Sequence, residues 1–325
     1  MKLSSCLFKW LFLAAAALSC VSAPAQSYPT RPIRIVVAFS AAGGNDMLAR
    51  LIAAKMTESW GQQVIVDNRP GAAGNIGTAM VANAAPDGYT LLIGPDGSLV
   101  INSLIFSTLP YDTMRDFALV SRAAESPLTI VAHPSVPAKS IRELIALAKA
   151  RPGQLSYASG GVGSTPHLAA ELLKSRAGID IVHVPYKGGG QAVIDVLGGQ
   201  MPLLIAVVPT VQALVDQRRL NALAVTSARR SRALPDVQTV AESGLSDFDV
   251  SLWWGVVAPK ATPESVVLKL QAEVARILSL PDVKERLATL GIEPIGSTPE
   301  EFTARIKADA AKWSKVVKQA GIRAD

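Results

Sequence analysis

Cysteine is nearly absent from this sequence, which has 325 residues and only two cysteines. Cys6 and Cys20 both lie within the first 25 residues. The rest of the chain therefore cannot form a disulfide framework, and a structural zinc site built on thiolates is excluded there. Stability must come from ordinary burial of apolar side chains, which make up 49% of the chain and are sufficient for large cores.

Histidine is scarce too, and the common catalytic patterns are missing. The three histidines are His133, His167 and His183, and none belongs to an H-E-x-x-H motif or a recognisable triad spacing. A G-x-S-x-G elbow is also absent. We interpret His133 as a turn residue, His167 as a residue that orients a loop or helps to bind a ligand, and His183 as a strand residue. We predict that the protein is not an enzyme and uses no cofactor or metal, with a periplasmic hydrolase as a distant alternative.

Positive charge is present without being concentrated. The net charge is +6, and the tightest basic cluster, Arg229-Arg230 with Arg232, is typical of a solvated loop. Aromatic residues make up only 5% of the chain and do not alternate with a basic stripe, which argues against a nucleic acid partner. The charge is compatible with attracting small anions.

The N-terminus has the order of a secretory signal peptide. Lys2 and Lys9 precede the apolar run Trp10 to Leu18, and a small-residue stretch ends with Ala23-Pro24-Ala25. The apolar run is shorter than the ~20 residues that a membrane-spanning helix requires. We predict a signal peptide over residues 1–25, cleavage before Gln26, and a periplasmic protein.

Cys20 offers an alternative to this cleavage. Ala17-Leu18-Ser19-Cys20 faintly resembles the site at which bacterial lipoproteins are lipidated, although Ala17 stands where that motif usually has leucine. Lipidation would leave the protein anchored to a membrane.

Short Val/Ile/Leu runs alternate with helical stretches along the chain, which is typical of parallel sheets with crossover helices. About 300 residues exceed what one core usually accommodates, so we predict an α/β fold with two lobes joined by a hinge of paired strands. Lobe 1 is predicted at 26–127 plus 253–325, and lobe 2 at 128–252. The predicted strands are 33–39, 63–66, 89–93, 117–120, 128–132, 155–158, 181–184, 203–207, 220–226 and 250–258, and three consecutive helices are predicted over 263–320.

A series of short motifs follows in one order over nearly the whole chain after the leader. They are Tyr28-Pro29-Thr30-Arg31-Pro32, the Gly43-Gly44 loop, Asn68-Arg69-Pro70-Gly71, Pro86-Asp87-Gly88-Tyr89, Leu109-Pro110-Tyr111-Asp112, Gly163-Ser164-Thr165-Pro166-His167 and Val184-Pro185-Tyr186-Lys187-Gly188. Each motif is weak alone. Together they resemble the Bug family, the extracytoplasmic solute-binding component of tripartite tricarboxylate transporters.

The resemblance implies a two-lobed periplasmic-binding-protein fold of the Venus flytrap type, with each lobe a mostly parallel sheet flanked by helices. It also implies that a small carboxylate or related organic solute is held between the lobes and delivered to the membrane permease subunits of a tripartite tricarboxylate transporter. Signalling to a membrane sensor is the alternative that the family leaves open. We expect a monomer.

Two glycine-rich loops are the predicted ligand site. In open α/β sheets ligands bind beyond the carboxyl ends of the strands, where helix N-termini present free N–H groups. The loops supply Ala41, Ala42, Gly43, Gly44 and Asn45 in lobe 1, and Gly161, Gly163, Ser164 and Thr165 in lobe 2. Successive N–H groups there can form an anion nest. Thr165 is expected to cap the helix that begins at Pro166 and to donate its proton to a ligand carboxylate. Tight turns without a ligand are the alternative reading of both loops.

Side chains outside these loops complete the predicted site. They are Asn75, Asp96, Ser98, His167 and Tyr186, each of which could instead cap a helix, brace a turn or pack. Lys187 is interpreted as solvated rather than as a ligand for the carboxylate. Ala206 stands where many relatives have a polar or acidic residue, a departure that would suit a bulkier or more apolar ligand.

Overall fold

A computed structural model describes residues 28–41, 43–186 and 188–324. The predicted leader, with both cysteines, and also Ala42 and Lys187 lie outside the described residues, so the predictions made for them stay predictions. No helix in the described part of the chain has both the length and the apolar character needed to cross a membrane.

Three parallel strands begin the first lobe. β1 (Ile33–Val37), β2 (Val64–Asn68) and β3 (Thr90–Pro95) pair in the order β2-β1-β3 and are connected through α1 (Gly44–Trp60) and α2 (Asn75–Ala82). The nearly continuous apolar sequence of β1 is buried on both sides, because Ile33 and Ile35 pack in one cluster with α1 while Val36 packs in another. This confirms the prediction of a strand covered on both faces.

Three parallel strands also form the centre of the second lobe, and their order repeats that of the first. β5 (Ser156–Ser159), β6 (Val182–Pro185) and β7 (Leu203–Val207) pair as β6-β5-β7. The helices are α5 (Ile141–Ala150), α6 (Thr165–Ala177), α7 (Gly189–Leu197) and α8 (Val208–Asp216), and β8 (Asn221–Val225) follows. The predicted alternation of strands and helices is confirmed.

One long strand joins the two lobes. Sequence analysis predicts two strands at 117–120 and 128–132, but the structure has a single 16-residue strand, β4 (Phe117–Ala132). Its residues up to Pro127 pair with β9 (Ser251–Pro259), and from Leu128 onward it pairs with β7 and β8. Pro127 lacks an N–H group and is tolerated because it stands where the strand changes partners. The prediction of a break between residues 120 and 128 was wrong, because β4 continues through this region while its pairing strands change.

β9 brings the chain back to the first lobe between β3 and β4. It is followed by α9 (Glu264–Ser279), α10 (Pro281–Thr289), β10 (Glu293–Pro294) and α11 (Pro299–Ala320), which confirms the three predicted helices. Thr298 and Glu301 form a reciprocal capping box at the start of α11. α11 packs on β4 and also on α6 of the second lobe. The lobe boundaries at 127/128 and 252/253 stay a prediction.

Short helical segments complete the first lobe. A wide helical turn at Gly97–Ile101 leads from β3 into α3 (Asn102–Ile105), and α4 (Thr113–Asp116) precedes β4. Asp112 caps α4 through bonds from the N–H groups of Met114 and Arg115.

Candidate functional site

A cavity of about 260 Å³ lies between the two lobes. Its walls come from the carboxyl ends of β1, β2, β3, β5 and β7 with the segments that follow them, and from the start of β9. The lining residues are Phe39, Gly44, Asn45, Ala73, Pro95, Asp96, Gly97, Asn102, Gly160, Val162, Gly163, Ser164, Thr165, Pro166, Val207, Leu252 and Trp254. The position agrees with the rule that open α/β sheets bind ligands beyond the carboxyl ends of their strands.

The N-terminus of α1 forms part of the first-lobe wall. Gly43 is its N-cap and supplies no side-chain bond to the first turn. The indole of Trp254 lies directly on this turn, since a Cβ at Gly44 would come within 2.9 Å of its ring. Asn45 Oδ1 is buried with no hydrogen-bond partner among the described residues. The first turn therefore has no side-chain cap, which suits an anionic ligand, and the Asn45 oxygen can accept a bond from a donor such as a water or a ligand hydroxyl.

The second-lobe wall differs from the prediction at the start of α6. Ser164 is the N-cap, and its hydroxyl accepts a hydrogen bond from the N–H of His167. Thr165 is the first residue of the helix and is followed by Pro166, which has no N–H to satisfy. The prediction that Thr165 caps this helix was wrong, because the helix begins one residue earlier than the proline suggests.

Most N–H groups of the loop before α6 are already used. Gly161 donates to Ser159 Oγ at 3.1 Å, and Ser164 donates to the carbonyl of Gly161 at 3.2 Å. Gly163 donates to Nδ1 of His167 at 3.1 Å. The predicted anion nest in this loop is therefore wrong for these three groups, which hold the loop in shape instead.

Asp96 and Thr165 meet across the cavity and connect the two lobes. The Thr165 hydroxyl donates to Asp96 Oδ1 at 2.8 Å, and the N–H of Gly97 donates to the same oxygen at 2.9 Å. Asp96 is only 1% exposed. Burial raises the pKa of this carboxyl to about 7, although the two donated bonds act in the opposite direction. The Thr165 hydroxyl thus donates its hydrogen bond to Asp96 rather than to a ligand, contrary to the prediction.

His167 and His183 form a buried stack behind the loop. Their rings lie 3.8 Å apart and nearly parallel. Burial lowers the pKa of each imidazole to about 4, so both are neutral at pH 7. Because Nδ1 of His167 accepts the Gly163 N–H, its proton is on Nε2. Of the two roles predicted for His167, this contact fits that of a loop-orienting residue, and His167 is not among the residues that line the cavity.

This neutral imidazole predicts an acid-sensitive fold. Below pH 6.5 the unfolded chain binds a proton at His167 that the folded protein excludes until about pH 4, so stability is lost as the pH falls through this window. Between pH 6.5 and 5.5 the loss for His167 is about 1 kcal/mol. Urea unfolding of the wild type and of a His167 variant at these two pH values isolates this loss, because the buried Asp96, with a pKa raised to about 7, changes stability in the opposite direction in both proteins.

The His167→Gln variant should lose less stability than the wild type over this pH range, because glutamine can accept the Gly163 N–H through its amide oxygen and does not titrate. His133→Gln makes the same change at a half-buried histidine that contacts Ser135 outside this loop, and it is the matched control. An unchanged pH dependence in His167→Gln would contradict the assignment.

The other predicted residues are placed close to the cavity without lining it. Asn75 Oδ1 accepts bonds from Asn102 Nδ2 at 2.6 Å and from the Tyr111 hydroxyl at 3.0 Å. The same hydroxyl donates to the carbonyl of Ser98 at 2.6 Å. These bonds form a network that supports Asn102, which does line the cavity.

Tyr186 also has a structural partner, since its hydroxyl donates to Asp195 at 2.7 Å. Ala41, Gly43 and Gly161 belong to the two predicted loops but not to the cavity lining. Ala206 is buried in the apolar core of the second lobe, so the presence of alanine rather than a polar residue at this position does not alter the cavity lining. The predicted residues that do line the cavity are Gly44, Asn45, Asp96, Gly163, Ser164 and Thr165.

The residues missed by sequence analysis are mainly apolar. Phe39, Val162, Val207, Leu252 and Trp254 give the cavity an aromatic and aliphatic character. The only sequence signal for Phe39 and Val162 is their position, since Phe39 lies just before one predicted loop and Val162 lies within the other. Trp254 is distant in sequence and reaches the site because β9 pairs with the end of β3, where Pro95 is opposite Trp254.

Among the described lining residues Asp96 is the one ionisable side chain. The described part of the chain also contains no group of three or more His, Cys, Asp or Glu side chains placed to hold a metal ion. The site is built to enclose a small organic molecule between two lobes, which is the arrangement of a solute-binding protein.

Comparisons with known proteins agree with this class. The model of the tripartite tricarboxylate transporter family receptor matches residues 48–322, and the chain belongs to this family, which comprises periplasmic solute-binding receptors and not enzymes. BugT of Bordetella pertussis is 37% identical over 96% of both chains. The resemblance to the Bug family is confirmed.

Two solved structures are similar over nearly their whole length. A protein of R. palustris with adipate is 38% identical, with a TM-score of 0.85 over 91% of this chain and 99% of that one. MatC from Rhodopseudomonas palustris with bound malate is 32% identical, with a TM-score of 0.80 over 89% and 100%. The two-lobed periplasmic-binding-protein fold is thereby confirmed.

Proposed function

We propose that this protein captures a small organic acid between its lobes in the periplasm and delivers it to the permease of a tripartite tricarboxylate transporter. The observation that carries the proposal is the interlobe cavity at the carboxyl ends of both sets of parallel strands, with the uncapped N-terminus of α1 in its wall. Relatives with the same fold hold adipate and malate.

The wall suggests how such an acid is held. A carboxylate at the first turn of α1 would be stabilised by the helix dipole and by backbone N–H groups that the N-cap residue Gly43 does not cap with a side chain. The carbon skeleton would then lie against Phe39 and Trp254, where burial of apolar surface adds affinity. Asn45 Oδ1, which has no partner among the described residues, can accept a bond from an ordered water that bridges to the acid.

Export and assembly belong to the same proposal. Residues 1–25 act as the signal peptide, the mature chain is a monomer with lobes at 26–127 plus 253–325 and at 128–252, and the permease subunits are its membrane partners. The family match to a transporter receptor supports this assignment. Uptake of a radiolabelled acid by cells lacking the gene, with and without the restored gene, separates transport from signalling.

A melting screen tests ligand capture. A ligand that binds only the folded state at 100 times its Kd stabilises the protein by about 2.7 kcal/mol, which raises the melting temperature by roughly 5 °C. The panel contains adipate, malate, citrate, hexanoate and benzoate, with 1,6-hexanediol as the matched control that lacks carboxylates. We expect at least one acid to raise the melting temperature while the diol does not. No shift with any carboxylate in a broad panel would refute the proposed function.

A further inference from the structure

Asp96 is an acid placed where an acid ligand is expected. It follows directly after β3, lines the cavity, and is covered from the second lobe by Thr165. Its Oδ1 accepts both the Thr165 hydroxyl and the Gly97 N–H. If the lobes separate, Thr165 would move away with α6 and the Asp96 carboxyl would become accessible to water. Closure of the lobes would then bury this carboxyl again.

The charged groups nearest to Asp96 come from α11, and they largely neutralise one another. Arg305 donates to Asp309 at 2.7 Å and lies 4.0 Å from Glu125 of β4. Asp309 also accepts a bond from the indole N–H of Trp253 at 2.6 Å. Asp96 has no ion pair among the described residues, and Arg305 and Asp309 are charged neighbours that largely compensate each other.

None of the remaining neighbours of Asp96 forms an ion pair with it among the described residues. Lys312 of α11 donates to the backbone carbonyl of Asp249. From α6 the residue that faces Asp96 is the uncharged Thr165, and His167 behind it is a neutral imidazole. A ligand carboxylate entering this cavity thus brings a second anion next to a carboxyl that has no cation of its own.

Two carboxylates enclosed together cannot both stay ionised at low cost, because each raises the pKa of the other in a site from which water is excluded. We propose that Asp96 binds the ligand in its acid form, so that closure of the lobes on a carboxylate takes up one proton. In this state Oδ1 keeps the bonds from Thr165 and Gly97, and the Oδ2 hydroxyl donates to the ligand carboxylate. This inference rests on the proposed function.

The size of the coupling between ligand binding and proton uptake follows from the pKa of Asp96 in the open and in the closed protein. In the open protein Asp96 should titrate near the ordinary value of ~3.9, whereas burial raises its pKa to about 7 in the closed protein. Binding should then tighten about tenfold between pH 8 and pH 6, with ~0.9 proton taken up per ligand at pH 6. A lower pH is avoided because the ligand's own carboxyls begin to titrate there.

Calorimetric titration with adipate and with malate tests this directly. Each acid is titrated at pH 6, 7 and 8 in two buffers of different ionisation enthalpy, and the difference in observed heat gives the number of protons taken up. Asp96→Asn keeps the shape and can still donate a bond to the ligand, but it cannot take up a proton. We expect its affinity to vary little with pH and its proton uptake to fall to that of the ligand alone.

Asp180→Asn is the matched control, because it makes the same change at an exposed position outside the cavity lining. It should keep the wild-type proton uptake. If the wild type binds either acid with the same proton uptake and pH dependence as Asp96→Asn, the inference is overturned while the proposed function stands. If neither acid binds the wild type at any pH, the inference fails, and the broader melting screen decides the proposed function separately.

Discussion

Gly163→Ala should weaken ligand binding by ~5- to 150-fold, which corresponds to 1–3 kcal/mol of overpacking in the closed state. A Cβ at Gly163 would lie 2.0 Å from Cδ1 of Ile105, at the end of α3 in the opposite lobe. Ile105 is itself buried and cannot move away freely. The clash exists only when the lobes are closed, so the cost falls on affinity. Calorimetric titration with the best acid from the melting screen measures it.

The backbone at Gly163 adds a second effect that must be separated from the clash. Its φ of +73° is unfavourable for alanine and should cost about 1 kcal/mol of stability in both open and closed states. Gly178→Ala at the end of the same helix is the matched control, since its φ is +61° and a Cβ there meets nothing within 4 Å. It should lower the melting temperature similarly without changing affinity.

A second substitution, at Ile105, tests the clash with Gly163→Ala more directly. Ile105→Val deletes the one atom that approaches Gly163 most closely, at a cost of about 0.5–1.5 kcal/mol of stability. Combined with Gly163→Ala, it should restore most of the lost affinity. If Gly163→Ala binds as tightly as Gly178→Ala, the lobes do not close on the ligand in the arrangement described.

Thr165→Val should also weaken binding by ~5- to 150-fold, because it removes one of the two hydrogen bonds donated to Oδ1 of the buried Asp96, at a cost of about 1–3 kcal/mol. Valine has nearly the shape of threonine, so the change removes the hydroxyl that joins the lobes and little else. The cost is incurred on closure and appears in affinity. Helix stability should change little, since Ser164 and not Thr165 caps α6.

Thr165→Ser keeps the hydroxyl and loses only the methyl group, so it should bind within a few-fold of the wild type. Both variants are compared by titration well below their melting temperatures. Wild-type affinity in Thr165→Val would show that the bond to Asp96 does not contribute to the closed state in solution. A large loss in Thr165→Ser as well would assign the effect to packing rather than to the hydrogen bond.

The sequence determined the elements and their order because these depend on local properties. The continuous apolar run of β1, the Thr298 capping box and the alternation of strands with helices are each written in a few neighbouring residues. The two glycine-rich loops were also recognisable, since a loop between a strand and a helix N-terminus has a compositional signature. These loops supplied Gly44, Asn45, Gly163, Ser164 and Thr165 to the cavity.

Only the tertiary structure decided which atoms face the ligand and which face each other. Thr165 and Asp96 are 69 residues apart, and their bond exists because the carboxyl ends of β3 and β5 are brought together between the lobes. Trp254 reaches the site through antiparallel pairing of β9 with β3, and the uninterrupted course of β4 depends on a change of partners at Pro127. Such pairings depend on long-range register and on burial from several elements at once, and no local pattern in the chain encodes them.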